Sequence, residues 1–162
     1  MPLFDLTRPR DDEEIIGSDA ATRALSVAAV ETDFVAGVYE EVASVYDFTS
    51  GPTLHPGRVD AIQRMKISPG DRVLEVGVGT GINASLYPVD CSVVGSDLSS
   101  SMRDKARERV WRKGLRNVGL QEMDATHMTF ADDTFDIVYA PYLISVVPDP
   151  VGVAREMHPV CR

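Results

Sequence analysis

The sequence contains little cysteine and no long apolar run. Its two cysteines, Cys91 and Cys161, are too few and too far apart for a metal cluster or a disulfide framework. The N-terminus, MPLFDLTRPRDDEE, lacks the apolar core of a signal peptide, and no stretch approaches the roughly 18 apolar residues of a membrane-spanning helix. These absences predict a soluble, cytoplasmic protein with reduced thiols and no metal site.

Positive charge is also scarce. The chain has 16 Lys and Arg against 25 Asp and Glu, a formal net charge of −9 at pH 7. Such an acidic chain repels polyanions, so we expect no nucleic-acid partner. The length of 162 residues and the 44% hydrophobic content are sufficient for one domain with a substantial core.

Composition divides the chain into three segments. Residues 1–19 combine prolines, a glycine and an acidic run, which predicts a flexible N-terminal arm. Apolar residues at helical spacing predict a helical cap over residues 20–67, with a loop over Phe48–Gly57 and a short helix over Arg58–Ile67. Residues 68–162 form the third segment, in which strand and helix patterns alternate.

The alternation in the third segment predicts an α/β fold with a parallel sheet flanked by helices, and a ligand at the carboxyl ends of its strands. The expected elements are strand Arg72–Val76, a helix start at Ile82–Leu86, strand Cys91–Ser96, helix Ser99–Lys113, strand Val118–Glu122, strand Phe135–Ala140 and helix Pro148–Met157. In the long helix, basic residues are interleaved with acids, which predicts a solvated face. They are Arg103, Lys105, Arg107, Arg109, Arg112 and Lys113.

The most informative motif is the glycine turn in VLEVGVGTGI. Gly77, Gly79 and Gly81 are spaced two apart, whereas a dinucleotide site needs its third glycine where Ile82 stands. Closely spaced glycines let the backbone approach a ligand without a Cβ in the way. Asp97 follows the second strand, where a carboxylate can accept hydrogen bonds from two ribose hydroxyls.

With Glu75 in front of the glycines, the pattern E-x-G-x-G-x-G resembles the class I methyltransferases that use S-adenosylmethionine (SAM). The resemblance implies a Rossmann-like fold with SAM as cofactor. Glu75 would order the loop and offset the charge of the SAM ammonium group. Further cofactor-binding residues follow the second and third strands in this family. They correspond to Leu98 and Met102 on the adenine face, Asp124 at the exocyclic amine and Ala125 at a ring nitrogen. Core packing is the alternative for Leu98 and Met102.

Longer phrases resemble the soluble bacterial phosphatidylethanolamine N-methyltransferases. They are VYDFTSGPTLHPGR, LEVGVGTGINASLYP, GLRNVGLQEMDA and APYLISVVPDP. The resemblance implies that Tyr46 closes over the cofactor and that Tyr142 faces the methyl acceptor. Tyr46 could instead pack on the core, and Tyr142 could cap the sheet. His127, near Asp124, is a weaker catalytic candidate, because a single loop histidine is often only solvated.

Three functions fit this resemblance. The first is N-methylation of phosphatidylethanolamine or a similar amine, the second is C- or O-methylation of a quinone or other small acceptor, and the third is a non-catalytic SAM-binding fragment or subunit. Acidic residues dominate the predicted helices between residues 20 and 46, which allows at most weak peripheral contact with an anionic membrane.

The C-terminal sequence REMHPVCR differs from the family pattern, in which a Pro-Gly-Gly turn and three more strands follow the corresponding helix. The resemblance therefore implies a fold truncated after the fourth strand and its following helix. An uncovered fourth strand would be an exposed sheet edge, which predicts self-association or completion by another chain.

Overall fold

The computed structural model describes residues 54–162. The predicted arm at residues 1–19, most of the predicted cap at residues 20–67 and Tyr46 lie outside the described residues. In chain order the described elements are helix α1 (54–64), strand β1 (Arg72–Val76), a 3-10 helix (Ile82–Ser85), strand β2 (Ser92–Asp97), helix α2 (Ser100–Arg112), strand β3 (Val118–Glu122), strand β4 (Ile137–Tyr139) and helix α3 (Pro150–Val160).

The four strands form one parallel sheet in the order β3-β2-β1-β4. At its centre, Leu74 of β1 lies opposite Val94 of β2 and Val138 of β4. The chain leaves β1 for β2 on one side and later returns to place β4 on the other, so the sheet has a switch point between β1 and β4. The predicted α/β fold class, a parallel sheet flanked by helices, is confirmed.

Strand β1 contributes to cores on both faces of the sheet, because successive side chains alternate. Leu74 and Val76 pack in a cluster with Phe130, Phe135 and other residues, and the two phenylalanine rings meet edge to face. Val73 points to the opposite face and packs with a cluster that includes Ile62 and Tyr87. Glu75 lies on the same face of the sheet as Val73, so its carboxylate points towards the cluster that contains Tyr87.

The first predicted helix is displaced. The loop predicted over Phe48–Gly57 is wrong for residues 54–57, which are helical, and the helix predicted over Arg58–Ile67 ends at residue 64. Pro56 is compatible with the beginning of a helix, because N–H groups of the first turn need no partner within the helix. Lys66 adopts a left-handed backbone, with φ of 52°, beyond the end of the helix.

Two other boundaries differ at the carboxyl end of the chain. The strand predicted over Phe135–Ala140 forms a ladder only at Ile137–Tyr139, and Phe135 instead makes an isolated parallel bridge with Cys161. The helix predicted over Pro148–Met157 spans Pro150–Val160, because the Asp149 side chain accepts from the backbone of Gly152 and sets the start two residues later.

Smaller shifts occur around the glycine turn. The helix predicted to start at Ile82–Leu86 is a 3-10 helix over Ile82–Ser85, and β2 lies one residue later than the predicted Cys91–Ser96. Ser99, predicted as the first residue of the long helix, is its N-cap and accepts from the backbone of Met102. Within residues 54–162, none of the helices is long and apolar enough to span a bilayer.

Candidate functional site

The glycine turn leaves the carboxyl end of β1 and is fixed against the end of β2. The backbone N–H groups of Gly77 and Val78 both donate to the carbonyl oxygen of Ser96, at 2.8 and 2.9 Å. Gly79 has φ of +54°, and a Cβ built on it would meet no atom within 4 Å. The backbone of the glycine turn therefore borders free space at Gly79. The stretch of backbone at residues 77–81 is called the cradle.

The Asp97 side chain connects this turn to the start of α2 through hydrogen bonds. One carboxylate oxygen accepts from the backbone N–H of Gly79 at 2.8 Å, and the other accepts from that of Ser99 at 3.0 Å. Burial raises the pKa of Asp97, while the hydrogen bonds from Gly79 and Ser99 and the charge of Arg103 act in the opposite direction. Each oxygen retains capacity for a further hydrogen bond, so the geometry fits the predicted contact with ribose hydroxyls.

Glu75 is only 1% exposed, and both of its oxygens are engaged. They accept from Asn83 Nδ2 and from the Tyr87 hydroxyl, each at 2.7 Å. Burial raises the pKa of Glu75 to about 7. The carboxylate thus ties the 3-10 helix after the glycines to the end of β1, and its contact with a cofactor ammonium group stays a prediction.

Leu98 and Met102 follow Asp97 on the exposed side of the β2–α2 turn. Leu98 is exposed and Met102 is half-buried. Arg103 holds the turn, because its guanidinium donates to the carbonyl oxygens of Asp97 and Leu98, at 2.9 and 2.7 Å, and contacts Glu122. Its predicted place on the solvated face of the helix is wrong, since the side chain is buried to satisfy these acceptors.

The residues predicted at the adenine edge lie after β3. Asp124 Oδ1 accepts from the backbone and hydroxyl of Thr126, at 2.8 and 2.7 Å. Burial acts to raise the pKa of Asp124, but the hydrogen bonds from Thr126 outweigh it and leave the pKa below its usual value. Ala125 packs against the core, and His127 is exposed, with Nδ1 3.6 Å from Asp124 Oδ2. The second Asp124 oxygen thus faces His127 across a longer gap.

A family model described as a methyltransferase domain matches residues 74–162. This chain belongs to that family. It is 43% identical over 134 residues to a phosphatidylethanolamine N-methyltransferase of Cereibacter sphaeroides, covering 82% of this chain and 65% of that relative. A ubiquinone/menaquinone biosynthesis C-methyltransferase of Teredinibacter turnerae is 34% identical over 144 residues, covering 83% and 58%. The chain thus spans less than two thirds of the length of these relatives.

Solved structures show the same fold. The YcgJ protein of Bacillus subtilis matches with a TM-score of 0.64 and 28% identity, covering 67% of this chain and 47% of that one. A SAM-dependent methyltransferase from Aquifex aeolicus matches with a TM-score of 0.59 and 21% identity, covering 65% and 58%. The predicted methyltransferase family is confirmed.

Within this methyltransferase domain, the two predicted catalytic residues lie far apart. Tyr142 follows β4 and His127 follows β3, which are opposite edges of the sheet. Three strand spacings separate those strand ends by roughly 14 Å. Tyr142 is part-exposed and has φ of 59°, an uncommon conformation for a tyrosine. The structure therefore brings Tyr142, and not His127, to the switch point beside the glycine turn.

Sequence reasoning missed three side chains of this candidate site. Asn83 and Tyr87 hold Glu75, and Arg58 of α1 donates through Nη1 to Asn83 Oδ1 at 3.0 Å. The Arg58 guanidinium also lies over the Tyr142 ring, 4.7 Å from its centroid. Arg58 stands inside the quoted phrase HPGR, but as a single arginine in a helical pattern it carried no signal of its own.

Proposed function

We propose that this chain is a SAM-dependent methyltransferase domain whose acceptor is the amine of phosphatidylethanolamine or a similar amine. The observation that carries the cofactor part of this proposal is the Asp97 carboxylate, which hydrogen-bonds both the open glycine turn and the start of α2. The carboxylate and the turn offer what a nucleoside with an amino-acid tail requires. These are hydrogen-bond acceptors for the ribose and a backbone without obstructing side chains.

Two features of the structure test whether this cofactor fits. A Cβ at Gly79 would project into free space, so the cradle has room for a ligand against the backbone. The Nε of Arg58 is buried and has no hydrogen-bond partner in the described part of the chain. An open cradle and an unsatisfied donor are what a site for a cofactor with a carboxylate should show.

When bound, SAM supplies a methyl group already activated by its sulfonium. The chain's own task is then to bind the acceptor in line with that methyl group and to exclude water, which can provide a large part of the rate. Tyr142 is the side chain proposed to orient the amine through its hydroxyl. An acceptor ammonium group must first lose a proton, and solvent can take it. We assign no nucleophile to the protein.

The choice of an amine acceptor is supported by the 43% identity to the phosphatidylethanolamine N-methyltransferase. A quinone acceptor is the second candidate, because demethylmenaquinone methyltransferases are also similar, for example one of Alkalihalophilus pseudofirmus at 33% identity over 109 residues. The residues before β4 serve the cofactor that both reactions share and do not separate them.

The test is an acceptor panel with radiolabelled SAM. We expect methyl transfer to phosphatidylethanolamine in detergent micelles and none to a demethylmenaquinone analogue. Transfer to the quinone alone would establish the second candidate. Binding of S-adenosylhomocysteine (SAH), the demethylated product, without transfer to any acceptor would show a cofactor-binding module.

A further inference from the structure

Arg58 differs from its neighbour Arg64 on the same helix. Arg64 is exposed and pairs with Asp60 one turn away. Arg58 is only 7% exposed, and within residues 54–162 its guanidinium donates to the Asn83 amide oxygen, while its charge acts on the nearby Glu75 carboxylate without a direct hydrogen bond. A buried guanidinium is costly unless its N–H groups find acceptors. The position of Arg58 therefore needs an explanation beyond helix packing.

The contacts of Arg58 join the 3-10 helix after the glycine turn to the segment that follows β4, beside the switch point of the sheet. Through Nη1 it reaches Asn83, which in turn donates to Glu75 at the end of β1. Its guanidinium plane contacts the Tyr142 ring after β4, a favourable cation–π arrangement. The helix also approaches from Gly57, where a Cβ would come within 3.3 Å of the Tyr142 hydroxyl.

One buried nitrogen of this group, Arg58 Nε, has no hydrogen-bond partner in the described part of the chain. Buried polar atoms without partners are rare in folded proteins, and each one suggests strain or an absent ligand. A guanidinium is suited to bind carboxylate or phosphate oxygens, because its donors form a rigid planar fork.

We propose that Arg58 is an anion-binding residue of the active site, whose free Nε–H donates to a carboxylate or phosphate oxygen of a bound ligand. The inference rests on the proposed function, which supplies two sources of such an oxygen. One is the carboxylate at the amino-acid end of the cofactor, and the other is the phosphate of the acceptor's headgroup. The stacked Tyr142 ring keeps the guanidinium in place for either ligand.

Calorimetry on Arg58→Met, the unaltered chain and the control Arg64→Met distinguishes the sources. The probes are SAH and its analogue without the carboxylate. If the cofactor carboxylate is the ligand, Arg58→Met weakens SAH binding about tenfold to a hundredfold and leaves binding of the analogue unchanged. If the acceptor phosphate is the ligand, SAH binding is unchanged and KM for phosphatidylethanolamine in micelles rises about tenfold or more. Arg64→Met should change none of these values.

Two other outcomes would contradict the proposal that Arg58 binds an anion. Equal loss of SAH and of the analogue would show that Arg58 only supports the fold, and unchanged SAH binding with unchanged KM would show that it binds no anion. Either result overturns this inference alone. Failure of the unaltered chain to bind SAH would overturn the proposed function as well. If Arg58→Met does not give a cooperative thermal transition, the same comparison is made with Arg58→Lys, which keeps the charge but lacks the planar fork.

Discussion

At the scale of single residues, Asp97 connects the glycine turn to α2 through both of its oxygens. We expect Asp97→Ala to weaken SAH binding by roughly 1.5–3 kcal/mol, the range for hydrogen bonds to a charged group. Asp71→Ala is the matched control, because Asp71 also accepts a backbone N–H, from Ser68, but lies just before β1 at the opposite end of the sheet. Calorimetry with SAH measures both. Unchanged affinity in Asp97→Ala would remove Asp97 from the site.

The stability of the fold should depend on pH through Glu75, because burial raises the pKa of this residue from 4.5 to about 7. Between these values the folded chain holds a proton that the unfolded chain releases, so the free energy of unfolding falls as pH rises through this window. Between about pH 5.5 and about pH 8, the free energy of unfolding of the unaltered chain should fall by about 2 kcal/mol relative to that of Glu75→Gln, whose side chain cannot ionise.

Urea unfolding at the two pH values measures this difference. Glu108→Gln is the matched substitution on the exposed surface of α2, and its unfolding is measured at the same two pH values. A constant difference between the unaltered chain and Glu75→Gln would mean that Glu75 is ionised throughout, with its charge compensated in the fold.

At the scale of elements, the glycine turn can be tested apart from its contribution to stability. Gly79 and Gly114 both have positive φ, +54° and +63°, and a Cβ on either would meet no atom within 4 Å. Gly79→Ala and Gly114→Ala should therefore each lower stability by about 1–2 kcal/mol through the same left-handed backbone strain. Only Gly79→Ala should weaken SAH binding, because only that Cβ would occupy the proposed cofactor cradle.

Thermal melts and SAH titrations of the two variants make the comparison. Gly114 follows α2 at the amino end of the sheet, so its substitution reports the strain alone. Equal SAH affinity in both variants would contradict the placement of the cofactor against Gly79.

The elements that sequence predicted best are those whose signal is local. The bounds of β1 and β3 match the prediction, because each is a short segment with apolar residues that follows a turn, at Gly70 for β1 and at Gly114 for β3. The bounds of β4 do not, because the apolar run from Phe135 is divided by tertiary contacts, and the Phe135 backbone pairs with Cys161 instead of with β1. No local pattern could show that division.

The same distinction applies to the site. Asp97 and the glycines could be proposed from the sequence because their spacing along the chain is itself the motif. Arg58 was not found, because its importance arises only when Asn83, 25 residues away, and Tyr142 are brought beside it. That its Nε has no acceptor among residues 54–162 is visible only in three dimensions.

At the scale of the whole molecule, the order β3-β2-β1-β4 leaves β4 with no further strand on its outer side within residues 54–162. The segment that follows adds exposed apolar side chains, including Ile144, which is 42% exposed, and Val146. An unpaired strand edge beside an apolar surface favours pairing with another chain. We therefore predict that this chain self-associates through β4 and residues 143–147.

Sedimentation velocity over a range of protein concentrations tests this prediction on two matched variants. Ile144→Asp should shift the chain towards monomer, because a charge in the associating surface would be buried without a partner. Val89→Asp is the control, since Val89 is 84% exposed but lies just before β2, at the opposite end of the sheet from the β4 segment. It should leave the association unchanged. A monomeric unaltered chain at all concentrations, or equal effects of the two substitutions, would show that the β4 edge is not an interface between copies.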